Sequence, residues 1–389
     1  MTTTSKPLIS TTAYYLSCMT LGLIFATQGP SLPVLARHTD SGLNQISLIF
    51  VFNSLGYILG SFLSGRAYDR LPGHRFMSLS LLIVTAMMAL IPVIPILWLL
   101  LLIFFILGSA NGAVDVGCNT LLQWVHGNKV GPFMNGLHFF FGVGTFIAPL
   151  LLARFLSLTE EIHWAFWTIA LICLPLAVWL WTLPNPPQQT EVREKSGLSV
   201  PFLLMFLIAN CFFLSVGAES GFGNWIYTYA ITLGMETTIT AAYLTSAFWG
   251  LFTVGRLLGV WVSTRLRSPT ILFLDLAGCL ASLGLIILGR ESVTLLWAGS
   301  IGLGIFMASI FPTTMMFAGE RIHVSGATTG WFIGGGGVGG MFLPWFIGQT
   351  FVTAGPHSMM TIIFTVISIN LLIVLYLVNP KRVPVPTAT

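Results

Sequence analysis

Charge is what this sequence has least of. Only 7% of its 389 residues are Asp, Glu, Lys or Arg, against 55% hydrophobic, whereas a soluble domain carries about 25% charged residues. So few charges cannot cover a water-facing surface, and a soluble globular protein is excluded. The net charge of +4 is scattered between apolar runs, which excludes a basic nucleic-acid-binding face. Five cysteines, Cys18, Cys118, Cys173, Cys211 and Cys279, show no CxxC and no Cys/His spacing. They read as small apolar residues, with neither disulfide nor metal site expected. The glycine run Gly334–Gly337 lacks a following Lys-Ser/Thr, which excludes a phosphate loop. There is no HExxH and no Ser/His/Asp set near an interface, so the chain is expected to be no enzyme and to need no cofactor. No small-residue cleavage site follows a short apolar run at the start, and Leu8 onward reads as a retained span.

What is present is apolar length. A membrane span needs roughly 20 apolar residues, and twelve such runs stand between charged or Pro/Gly-rich breaks. They cover approximately 8–36, 45–65, 76–95, 97–125, 130–154, 162–183, 200–233, 239–264, 269–289, 293–318, 325–353 and 358–379. The longest polar stretch holds Pro184, Pro186, Pro187 and the run Glu191–Lys195. It predicts a first six-helix bundle over 1–184, a linker over 185–199 and a second bundle over 200–389. With the N-terminus inside, twelve Lys and Arg residues fall on the inner side and three, Arg37, Arg154 and Arg290, outside. The bias places both termini and the linker in the cytoplasm.

The halves repeat. Gly56, Gly60, Ser64 and Arg66 recur 199 residues later as Gly255, Gly259, Ser263 and Arg265. Gly142-Val143-Gly144 with Pro149 recurs as Gly337-Val338-Gly339 with Pro344. Spans two and eight, and five and eleven, are therefore equivalent members of a six-helix repeat.

Between spans two and three stands Gly65-Arg66-Ala67-Tyr68-Asp69-Arg70-Leu71-Pro72-Gly73-His74-Arg75. It resembles the loop 2–3 signature of the major facilitator superfamily, which has a glycine, a small residue, an acid, a base, a glycine and further bases. The resemblance implies an all-α integral membrane fold of twelve transmembrane helices in two six-helix pseudo-symmetric bundles, moving a small solute by alternating access. It makes Gly65, Asp69 and Arg70 candidates for a conformational switch, with Asp69 facing the start of span eleven near Ser325. Three further stretches resemble the fucose–proton symporters and sodium-dependent glucose transporters. These are Asn111 to Asn119 in span four, Asn135-Gly136-Leu137-His138 in span five, and Gly217-Ala218-Glu219 through Asn224-Trp225 in span seven. One departure stands out. The symporters carry an acid in span one, where this chain reads Thr27-Gln28-Gly29-Pro30. Gln28 can hydrogen-bond a solute but cannot carry a proton, which leaves coupling to Asp115 or Glu219.

A charge at the membrane centre costs at least ~2.5–3.5 kcal/mol, so each one needs a reason. Asn111, Asp115 and Asn119 are spaced by four and share one helix face. Asp115 precedes the end of span four at Leu122 by seven residues, and His138 follows the start of span five at Gly131 by seven. An Asp–His pair at one depth can hold and release a proton, so Asp115, His138 and Asn119 are the coupling-ion candidates. The same count puts Asn135 in a layer with Asn119. Glu219 lies among Gly217, Gly221 and Gly223, a pattern that predicts a loosened helix beside a substrate. Gln28, Asn111, Asn135, Glu219, Asn224 and Trp225 are the solute candidates, amides and a carboxylate beside an aromatic face suiting a sugar. Arg256 and Asp275, in neighbouring spans eight and nine, are expected to form a structural ion pair.

The expectation is a monomeric secondary active transporter in the cytoplasmic (inner) membrane. It carries a sugar or sugar-like solute in symport with protons or sodium. The rival within transport, a drug–proton antiporter, usually has an arginine in span four and a Gly-Pro pair in span five. Here those positions offer Asp115 and Ala148-Pro149. A receptor or membrane-embedded enzyme finds no supporting motif.

Overall fold

A computed structural model describes residues 5–159, 161–186, 202–322 and 326–378, and among these it contains helices and no strand. The long helices are α1 (Ser5–His38), α2 (Leu48–Tyr68), α3 (Gly73–Leu90), α4 (Leu97–His126), α5 (Gly131–Thr159) and α6 (His163–Thr182). They continue with α7 (Phe202–Thr232), α8 (Thr238–Ser263), α9 (Ser268–Leu288), α10 (Val293–Met307), α11 (Gly326–Thr353) and α12 (Ser358–Val378). Eleven segments are long and apolar enough to cross a bilayer. The twelfth, α11, has the length, 28 residues, but nine glycines dilute its apolar character.

The helices are apolar outside as well as inside, because both faces meet hydrocarbon or protein. Trp98 and Leu171 are each 68% exposed and Leu288 is 88% exposed. Helices close their backbone hydrogen bonds internally, the condition for crossing lipid. All five cysteines are buried and unpaired by disulfide.

The chain divides into two compact units, Met1–Val192 and Arg193–Thr389. Within the first, α1 packs on α5, α2 on α4 and α3 on α6; within the second, α7 packs on α11, α8 on α10 and α9 on α12. The pairing is one pattern used twice, and glycine explains the matched motifs. A β-carbon on Gly60 would land on the Ser109 carbonyl, and one on Gly259 would meet the Ser309 side chain at 2.9 Å. The repeated glycines let α2 approach α4, and α8 approach α10, backbone to backbone.

Two features depart from the sequence reading. Span ten is broken: α10 stops at Met307 and a second helix runs Ile310–Gly319. Pro312 has no N–H to give the Ala308 carbonyl and clashes with it, which ends the first segment. Span seven, by contrast, is unbroken from Phe202 to Thr232. Its glycines serve packing: Gly217 lies against Leu343, Gly221 against Ile347 and Gly223 against Trp249.

The loop between α2 and α3 is anchored from below. His74 is fully buried, its Nε2 hydrogen-bonded to the Tyr14 hydroxyl at 2.7 Å, and its backbone N–H donates to Asn185 Oδ1 at 2.8 Å. Tyr68 donates to the Ala113 carbonyl at 2.9 Å. Asp69, the C-cap of α2, and Arg70 are exposed, and Gly65 has open space where a β-carbon would stand. Ser325 and the run Glu191–Lys195 lie outside the described residues.

Candidate functional site

In the first unit the site is built on the α2–α4 seam and the α4–α5 turn. Gly127, with φ of 52°, ends α4 in a backbone conformation that L side chains rarely adopt. The chain then turns through Gly127–Lys129 into α5. His126 secures that turn: its Nε2 is hydrogen-bonded to Thr11 Oγ1 at 2.7 Å and its ring stacks on Phe133 at 3.5 Å. Tyr15 donates to the Phe133 carbonyl at 2.9 Å. With α1, α4 and α5 fixed at this end, the residues above them hold a common depth.

Asp115 is half-buried on α4. Its Oδ2 accepts from the Tyr57 hydroxyl at 2.5 Å and its Oδ1 from Asn119 Nδ2 at 3.2 Å. Asn119 also donates to the Asp115 backbone carbonyl at 2.9 Å, a bond along the helix that fixes its amide. His138 lies within electrostatic reach of Asp115 from α5, and its side chain is exposed. Tyr57 and Asn119 both donate hydrogen bonds to the carboxylate.

Tyr57 is the member that sequence reasoning missed. Its signal was available: Asn53, Tyr57 and Ser61 are spaced by four on α2, as Asn111, Asp115 and Asn119 are on α4. Asn111 is 7% exposed and its Oδ1 has no hydrogen-bond partner; Asn53 Oδ1 and Ser61 Oγ are likewise buried without one. Gln28, on α1, is 5% exposed and its side chain makes no hydrogen bond among the described residues. Asn135 is exposed on α5. An acid held by two donors, beside amide and hydroxyl oxygens with spare lone pairs, can accept a cation or a proton and can hydrogen-bond a polar solute.

In the second unit Glu219 is half-buried on α7, and the charge that acts on it is Arg256 of α8. Arg256 also lies over the Phe252 ring, 4.7 Å from its centre. Asp275 takes its hydrogen bond from Ser309 at 2.6 Å. The expected Arg256–Asp275 ion pair is therefore not formed: the break in α10 offers Asp275 a hydroxyl, and Arg256 reaches towards the other acid. Asn224 is 3% exposed and donates to the Ser220 carbonyl at 2.9 Å.

Trp225, a solute candidate, is held inside the second unit. It is fully buried, its Nε1 donates to the Pro344 carbonyl at 2.8 Å, and its ring packs on Phe351 at 5.1 Å. Its work is to join α7 to α11. No group of three or more His, Cys, Asp or Glu among the described residues could hold a metal ion.

The family Major Facilitator Superfamily matches residues 14–344. The mouse (Mus musculus) sodium-dependent glucose transporter 1A is 29% identical over 376 residues, covering 86% of this chain and 88% of the relative. Major facilitator superfamily domain-containing protein 4A of Pongo abelii is 24% identical, covering 97% of this chain and 94% of its own length. Among solved structures, the nucleoside transporter NupG shares the fold with a TM-score of 0.77, at 15% identity, over 96% of this chain and all of that one. On the family match across most of its length and a helical fold shared with its members, the chain belongs to the major facilitator superfamily of membrane transporters.

Proposed function

We propose that this transporter moves a sugar or a sugar-like polar solute, driven by a gradient of protons or sodium. The reading rests first on the uncharged amides inside the helices. Gln28 and Asn111 are nearly sealed from the surface, and neither Gln28's amide nor the Asn111 Oδ1 has a hydrogen-bond partner among the described residues. An unsatisfied buried polar group costs about 1–3 kcal/mol, and sugar hydroxyls are ligands that recover it. A lipophilic drug would leave it unrecovered. The named mouse relative, a sodium-dependent glucose transporter, points the same way.

Asp115, with Asn119 and His138, serves the coupling ion in this account. Glu219, Asn224, Gln28 and Asn111 serve the solute, while Asn135, exposed on α5, lines its approach. Asp69, Arg70 and Gly65 form the conformational switch. The protein acts as a monomer in the cytoplasmic membrane with both termini inside, the orientation that the basic residues favour.

The test is a panel of sugars offered to the purified protein, followed by uptake into proteoliposomes. A ligand present at a hundredfold its Kd stabilises by about 2.7 kcal/mol. At least one sugar should raise the melting temperature and be taken up. Silence across the panel, with export of lipophilic cations against a proton gradient, would replace this reading by the drug–proton antiporter.

A further inference from the structure

We propose that the exposed face of the α3–α6 pair binds one anionic phospholipid, its phosphodiester held by the Arg75 guanidinium and the Trp181 indole N–H and an acyl chain laid along the apolar strip beside them. In the orientation proposed above, this lipid belongs to the cytoplasmic leaflet.

Three contacts fix how the two helices lie. Ser78 Oγ donates to the Ala177 carbonyl at 2.6 Å, and Trp167 Nε1 donates to the Ala89 carbonyl at 3.1 Å. Between the paired ends, the Arg75 guanidinium stands 5.8 Å from the centre of the Trp181 ring. These contacts keep one antiparallel register along the pair. Arg75 starts from a fixed base, because its neighbour His74 is buried, with its backbone N–H bonded to Asn185 Oδ1 and its Nδ1 to the Leu183 carbonyl at 3.4 Å.

The register sets two exposed stripes side by side. Arg75, Leu79 and Leu82 follow one another at helical spacing on α3, as Leu171, Leu174, Val178 and Trp181 do on α6. From Trp181 to Leu171 the strip is about 15 Å long, at the rise of an α-helix. That is the depth of one leaflet in a hydrocarbon core of roughly 30 Å. The strip is therefore as long as the buried part of a single acyl chain.

Its polar end lacks an acceptor. Arg75 has no carboxylate partner among the described residues, whose one ion pair, Glu161–His163, lies at the other end of α6. Trp181 Nε1 makes no hydrogen bond among the described residues. Two donors, one of them charged, thus lie together at the head of an apolar strip. A phosphodiester supplies the negative charge and the acceptor oxygens that both need. Arg66 over Phe62 and Arg265 over Trp261 are different, since each lies over a ring of its own helix. Arg75 reaches across to a second helix, which holds its guanidinium at the seam. A second copy of this chain is a poorer occupant. Meeting this face about a two-fold axis normal to the membrane, it would bring its own Arg75 to the same level.

The purified full-length protein in detergent, titrated with phosphatidylglycerol or phosphatidylcholine and weighed by native mass spectrometry, tests this. Phosphatidylcholine shares the phosphate but carries its own cation in competition with Arg75. One phosphatidylglycerol should be retained per chain, in preference to phosphatidylcholine. Arg75→Gln should weaken that retention about fivefold, the worth of one basic residue at an anionic surface. Trp181→Phe, which keeps a ring and loses the N–H, should weaken it about threefold. Arg154→Gln, an exposed arginine near the far end of α5, should bind as the wild type does. Equal melting temperatures of Arg75→Gln and wild type in phosphatidylcholine would separate a lost lipid from a damaged fold, and Trp181→Phe decides if that variant fails to fold. Equal retention of the two lipids, or of phosphatidylglycerol by both variants and the wild type, overturns the site. So does a dimer of the chain that carries no lipid.

Discussion

Asp115 and Trp225 are both polar-capable side chains in the middle of a helix, yet the structure gives them opposite work. Trp225 spends its one donor on the Pro344 carbonyl and its ring on Phe351. Trp225→Phe should therefore lower stability by about 0.5–1.5 kcal/mol, one hydrogen bond's net contribution. Counterflow affinity for the solute should be retained, and a raised Kd would return the indole to the binding site. Asp115 keeps a half-open carboxylate, and its bond from Tyr57 is charge-assisted when the acid is ionised. The acid and a histidine within its electrostatic reach could be read from the sequence because a short turn joins their helices. Tyr57 could not be placed that way. Its contact depends on the register of α2 against α4, which packing sets and spacing alone does not.

At the scale of the element, glycines carry the helix seams but do not all do one job. Gly60 faces the Ser109 carbonyl with no room for a methyl group, whereas Gly65 has nothing near it. Gly60→Ala should force α2 from α4, a strain of about 1–3 kcal/mol, and lower the melting temperature measurably. Gly65→Ala should fold as the wild type does; equal destabilisation of the two variants would mean that the seam is not where the strain lies. The repeat of Gly56 and Gly60 in Gly255 and Gly259 was legible as a pattern, and the α2–α4 and α8–α10 contacts supply its cause. The break in α10 was less legible, since Pro312 sits in a run whose hydropathy alone is continuous. The apolar signal fails differently in α11, where glycine thins the hydropathy of a helix that is nonetheless 28 residues long.

For the whole molecule, twelve apolar runs were enough to give the long helices of the described residues, because lipid leaves a chain few ways to satisfy its backbone. The assignment of labour between acids was harder to read. Glycines around Glu219 suggested a loosened helix, but α7 is continuous and those glycines are packing surfaces. Asp69 is exposed at the end of α2 and makes no side-chain hydrogen bond among the described residues. Asp69→Asn is thus expected to leave the melting temperature unchanged while slowing transport. Unchanged transport rates in that variant would remove Asp69 from the switch.

The central claim, that Asp115 couples an ion while Glu219 serves the solute, is tested most directly by paired assays in proteoliposomes. Gradient-driven accumulation and counterflow should be measured for Asp115→Asn and Glu219→Gln beside the wild type. Counterflow needs only exchange of solute, so the account predicts that Asp115→Asn loses accumulation and keeps counterflow. Glu219→Gln should lose much of both, because a hydrogen bond to a charged group is worth about 1.5–3 kcal/mol. Full accumulation in Asp115→Asn would contradict the account, and the reverse pattern would exchange the roles of the two acids.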